Sequence, residues 1–151
     1  MLAKATYKHG EVSVTEGQEK KHITQMTKDE INAIINKLYS LNVGQTKLSF
    51  HLQEKLDSEE LSIYKSQMVR LLLDFEIIEY NNTRGGNRVL LRGLSKEKTI
   101  SKGRIEESNL CIVWDVDKNI IVTAYWNHSD DNHNNVDFSR YNKDLKIDFT
   151  N

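Results

Sequence analysis

The chain predicts an α+β fold: two N-terminal helices packed on a four- to five-stranded antiparallel sheet. Three observations lead there. Apolar residues recur at helical spacing across the first half. The period changes from 3.6 to 2 after Phe75. Glycine- and asparagine-rich turns then separate short alternating runs.

Taken in order, residues 1–26 are polar and weakly patterned, and read as an N-terminal segment that is partly disordered or forms a short strand at Glu11–Thr15. Residues 27–151 read as one α+β domain. Thr27 opens TKDE, a capping-box pattern with Glu30 three residues on, and Ile31, Ile34, Ile35, Leu38 and Leu41 follow on one helical face. This first helix is expected to end near Asn42–Gly44. TKLSFHLQEKL (46–56) fits either a strand or a helical turn. A second helix is expected over 58–74, capped by Asp57 or Ser58 and striped by Leu61, Tyr64, Met68, Leu71, Leu72 and Phe75. EIIEYN (76–81) and RVLLR (88–92) form a hairpin around NTRGGN, and a polar loop is expected over 94–107. NLCIVWDV (109–116) and NIIVTAYWN (119–127) form a second hairpin, and LKIDF (145–149) adds a last strand. The expected core is Ile31, Ile34, Leu38, Leu61, Met68, Leu71, Leu72, Ile77, Val89, Leu91, Val113, Val122 and Ala124.

At 151 residues, 38% hydrophobic and 28% charged, the composition is that of an ordinary globular domain. No run is long or apolar enough to span a bilayer, the N-terminus does not read as a signal peptide, and a cytoplasmic location is expected. The single cysteine, Cys111, rules out an internal disulfide and lies in an apolar run. Net charge is −1, yet the 21 residues from Arg84 to Arg104 hold seven basic side chains and one acidic. Such a stripe grips phosphates or forms a solvated strand edge.

Candidate chemistry follows from alternation. Arg88 and Arg92 share one strand face; Thr123, Tyr125 and Asn127 share another. Brought together, these groups suit a phosphodiester, unless the arginines are salt-bridged to Glu76, Glu79 or Asp115. Proton transfer would fall to a histidine, among His9, His22, His51, His128 and His133. His128, Asp130, Asp131, His133 and Asp137 are residue types that also suit a metal, but their spacing matches no metal motif and reads as an Asx-rich loop. No cofactor or metal is expected.

The order of a histidine-bearing helix, RVLLR, VTAYWN and DNHNNVDFSRY resembles the barnase/EndoU/colicin/RelE-like superfamily of metal-independent endoribonucleases, in its phage and bacterial-toxin branch. The resemblance covers roughly residues 48–147. It implies RNA cleavage through the substrate's own 2′-hydroxyl, with His51, Arg88, Arg92, Thr123 and Tyr141 as catalytic residues and His133 able to replace His51 as base. Lys55, Arg84, Tyr125, Asn127 and Arg140 would contact substrate. The competing expectation is a non-enzymatic binding protein of phage type, engaging or inhibiting a host-defence protein, since fold does not decide function.

Overall fold

The computed structural model of the protein describes residues 19–82, 86–131 and 137–149. Six strands form one sheet: β1 (Lys20–His22), β2 (Lys47–Leu48), β3 (Phe75–Asn81), β4 (Arg88–Ser101), β5 (Arg104–Asp115) and β6 (Ile120–His128). Their spatial order is β1-β3-β4-β5-β6-β2. All pairings are antiparallel except β2 with β6, which is parallel. The fold is therefore a strand-rich mixed α/β arrangement. It corrects the expectation of two helices on a four- to five-stranded antiparallel sheet.

Three helices are described: α1 (Lys28–Tyr39), α2 (Phe50–Asp57) and α3 (Lys65–Arg70). At α1 the capping box is formed. Thr27 Oγ1 accepts from Glu30 N at 3.1 Å, and Glu30 Oε1 accepts from Thr27 N at 3.0 Å. The expected helix over 58–74 is cut short to α3 and a 3₁₀ turn, and neither Asp57 nor Ser58 begins it, because a separate helix, α2, ends there. Ser49 caps α2 instead, its Oγ accepting from Leu52 N at 3.1 Å and donating to Val122 O at 2.8 Å. Glu59, at φ 64°, breaks the helical path, and helix resumes at Lys65 before a 3₁₀ turn, Leu71–Leu73. The ambiguous 46–56 stretch resolves as both a strand (β2) and a helix (α2), joined at Ser49.

Two further expectations are corrected. The segment 145–149 forms no strand; it lies against α1, where Ile147 N donates to Glu30 Oε2 at 3.2 Å. Residues 94–107 are not a loop, because β4 and β5 continue as a paired ribbon to a turn at Lys102-Gly103. The expected strand at Glu11–Thr15 lies outside the described residues.

All three helices cover one sheet face. Ile34, Leu38, Leu52 and Met68 meet Tyr80, Val89, Leu91, Ile112, Trp114, Ile121 and Ala124 in one buried cluster. Val113 and Val122 are not part of it. Val113 sits opposite Leu90 and Thr123 on the other face, and Val122 is the extra residue between the Val113–Thr123 and Trp114–Ile121 pairs. That bulge lets both Ile121 and Ala124 face the core despite their odd spacing. At the β1 end, Lys21 Nζ donates to both Glu30 oxygens, at 2.8 and 3.0 Å, and to Leu145 O at 2.8 Å. This buried knot joins β1, α1 and the C-terminal segment.

Candidate functional site

The face away from the helices carries the polar groups. Strand register places Glu76, Arg92, Cys111 and Tyr125 in one cross-strand row, and Glu79, Leu90, Val113 and Thr123 in the next. Arg88 and Asp115 form a third. Arg88, Arg92, Thr123 and Tyr125 thus share this face, because cross-strand partners project to the same side.

The two arginines differ in what holds them. Arg88 Nε lies 3.8 Å from Asp115 Oδ2, and Asp115 is buried. Its charge is matched by a structural carboxylate. Asp115 Oδ1 also accepts from Asp117 N and Lys118 N at 3.1 and 3.0 Å, fixing the β5–β6 turn. Arg92 is 6% exposed. Its Nη2 donates to Asn109 Oδ1 at 3.0 Å, Ser129 O at 3.3 Å and His128 O at 3.5 Å, all neutral acceptors, and its buried Nε makes no hydrogen bond.

On the Arg92 face the Cys111 thiol and the Tyr125 and Tyr141 hydroxyls are held protonated. Burial pushes the Cys111 thiol up to about 11 despite its hydrogen bond with Tyr125 and the nearby Arg92 charge. It is therefore a poor nucleophile at neutral pH. Burial also raises the Tyr125 and Tyr141 hydroxyls, helped at Tyr141 by the bond its hydroxyl donates to Glu79 Oε1 at 2.6 Å. Among the described residues, no three His, Cys, Asp or Glu side chains are grouped to hold a metal ion.

Among the described residues, the sequence-predicted catalytic set does not assemble. His51 is exposed on α2, whose Leu52 enters the core on the helix-covered side, so the sheet separates it from Arg92. Lys55 shares that helix. Thr123 is exposed on the polar face, and Tyr141 reaches it through Glu79. Asn127 follows on β6 and donates to Asp131 O at 3.1 Å, while Arg140 is exposed in a 3₁₀ turn. Arg84 and His133 lie outside the described residues. His22, on β1, does reach the polar face, but its ring is buried edge-on to Phe138 and Tyr141, and Nδ1 contacts Thr24 Oγ1 at 2.8 Å.

A second feature lies where the sequence reading placed a loop. β3 pairs β4 only as far as Phe75 opposite Gly93, and β6 pairs β5 only as far as Ser108 opposite His128. Past these points β4 and β5 run on together as a two-stranded arm, from Lys98 opposite Glu107 to Ser101 opposite Arg104. Its turn residues Lys102 and Gly103 have φ 52° and 77°, the left-handed pair that a two-residue hairpin requires. Ile100 and Ile105 are cross-strand partners near the tip, 80% and 72% exposed. The signal was present in the sequence as alternation across SKEKTIS and RIEES around Lys-Gly. Its polar content hid it, because neither face of the ribbon meets a core.

The chain matches no protein-family model, no curated protein and no solved structure, so the resemblance to the endoribonuclease superfamily gains no support from known proteins.

Proposed function

We propose that this chain is a non-enzymatic binding protein whose contact element is the β4–β5 arm, and that its partner is a protein. The observation that carries this reading is the exposed Ile100–Ile105 pair at the end of a ribbon with unpaired edges. Two large apolar side chains held side by side in water favour a partner that covers them. Unpaired strand edges add backbone hydrogen-bonding capacity. The charges of the arm and its root favour protein over nucleic acid. Lys96, Lys98, Lys102 and Arg104 are interleaved with Glu97, Glu106 and Glu107, and Lys98 stands opposite Glu107. A phosphate-binding ribbon needs a clearer cationic excess. With Arg88 paired and Arg92 buried, the basic stripe of the sequence is not one continuous surface.

Capture of proteins from cells expressing the tagged chain, compared with an Ile100→Asp/Ile105→Asp variant matched for folding by circular dichroism, tests this. Bound proteins that the variant loses are expected. Equal capture by both overturns it.

The ribonuclease reading retains one observation: Arg92 offers an uncommitted Nε on the same face as Thr123 and Tyr125. Its test is RNA cleavage in EDTA that leaves a 2′,3′-cyclic phosphate and is lost in Arg92→Ala. Such cleavage would replace the binding reading.

A further inference from the structure

Resting on the reading of the arm as a contact element, we infer that the arm of one molecule seats in an apolar groove of a second copy of this chain, forming a reciprocal dimer. The groove lies between α1 and the start of β3. Ile31, Ile35, Tyr39, Leu73 and Phe75 line it. Leu73 is 81% exposed and Tyr39 63%. The groove is preformed: the Tyr39 ring meets Phe75 edge-on at 6.3 Å, and its hydroxyl donates to Leu72 O at 3.3 Å.

Charge selects the occupant. Of the two charged residues at the groove, Glu76 belongs to the Arg92 row on the other sheet face, which leaves exposed, acidic Asp74 at the rim. The arm tip that carries Ile100 and Ile105 is flanked by Lys102 and Arg104. An apolar wedge with cationic shoulders thus meets an apolar groove with an anionic rim, which is the complementarity that sets partner and orientation.

Placement makes the contact intermolecular and closed. Leu94 N donates to Asp74 O at 3.0 Å, so the arm leaves the sheet beside its own groove's rim. Six residues further on, Ile100 is ~20 Å away along an extended strand. Its high exposure shows that the arm does not fold back. It meets a groove only on another molecule. Because arm and groove occupy the same end of the sheet, one two-fold axis there satisfies both contacts, and the assembly stops at two.

Sedimentation equilibrium of the full chain over a wide concentration range tests this. Wild type should be a dimer. Ile100→Asp and Leu73→Asp, both exposed positions that tolerate the change, should each weaken it by roughly tenfold or more, as a central interface residue does. Arg104→Glu and Asp74→Arg should each weaken it, and the two together should restore it. An Ile100→Cys copy mixed with a Leu73→Cys copy should form an intermolecular disulfide, since the native thiol, Cys111, is buried. A chain that is monomeric throughout, or a dimer indifferent to these variants, overturns the inference. A monomer whose protein capture still depends on Ile100 leaves the binding reading standing. A monomer whose capture is unchanged by Ile100→Asp ends both.

Discussion

The two halves of the β4–β5 hairpin share a turn and a backbone, yet their register shifts between Arg92 and Lys96 and they live in different surroundings. In the inner half, from Arg88 to Gly93 and from Leu110 to Asp115, each strand has neighbours on both sides, and Val89, Leu91, Ile112 and Trp114 are completely buried. In the outer half the flanking strands have stopped, and Ile100 and Ile105 stand in solvent. The same strand-forming tendency stabilises the fold where the strands are covered and offers a contact where they are not. A two-stranded ribbon by itself is marginally stable in water, so the arm's order is borrowed from its root.

Denaturation of core and arm variants would break this comparison most directly. Trp114→Ala should cost ~3–5 kcal/mol, because a large fully buried side chain leaves a cavity. Ile100→Ala, compared at concentrations where the chain is monomeric, should stay within ~0.5 kcal/mol, as surface changes do. Similar losses at both positions, read from urea midpoints, would mean that the arm is packed.

Next in size is the Lys21–Glu30 knot. Burial pushes the Glu30 carboxyl up, but the Lys21 bond and the Thr27 and Ile147 amides outweigh it and hold the group below its ordinary 4.5. A lowered folded value means that Glu30 contributes its full stability above pH 4.5 and loses it as pH falls through the lowered value. Glu30→Gln should cost ~3 kcal/mol near neutral pH, since it strands a buried lysine. That difference from wild type should shrink in acid. A pH-independent gap in urea midpoints would remove the carboxylate from the explanation.

Asp115→Asn tests the inner half's polar face. It weakens the Arg88 pairing and one acceptor of the β5–β6 turn, and should cost ~1–3 kcal/mol in the same titration.

The smallest effect is local. Gly103→Ala meets nothing within 4 Å but must hold φ +77°, at a cost of about 1 kcal/mol. Hydrogen exchange should show arm amides opening faster while those of Leu91 and Ile112 are unchanged. Coupled loss of protection in both halves would show that the hairpin opens as one unit.

Much of the fold was legible because it is written locally. A capping box needs four consecutive residues, and Thr27 to Glu30 supply them. Face assignment needs only alternation, so Arg88 and Arg92 read correctly as face-mates, and the register then set them beside Thr123 and Tyr125. Their partners were not legible. Asp115 stood among three candidate carboxylates for the arginines, and the Asn109, His128 and Ser129 acceptors of Arg92 come from strands far along the chain. The site failed at His51 because a helix's position over the sheet is a tertiary fact: Ser49 and Leu52 anchor α2 to the covered side.

By itself the sequence determined the α1 cap, the two hairpins and the alternation that separates an apolar sheet face from a polar one. These depend on neighbours within a few residues, where sterics and hydrogen-bond geometry act directly. Tertiary structure decided the edges. β1 and β2, at three and two residues, are too short to carry a period, and exist because β3 and β6 offer them free backbone groups. It also decided where β3 and β6 stop beside a longer hairpin, and so which isoleucines are left in water. That depends on chain segments remote in sequence, which no local pattern records.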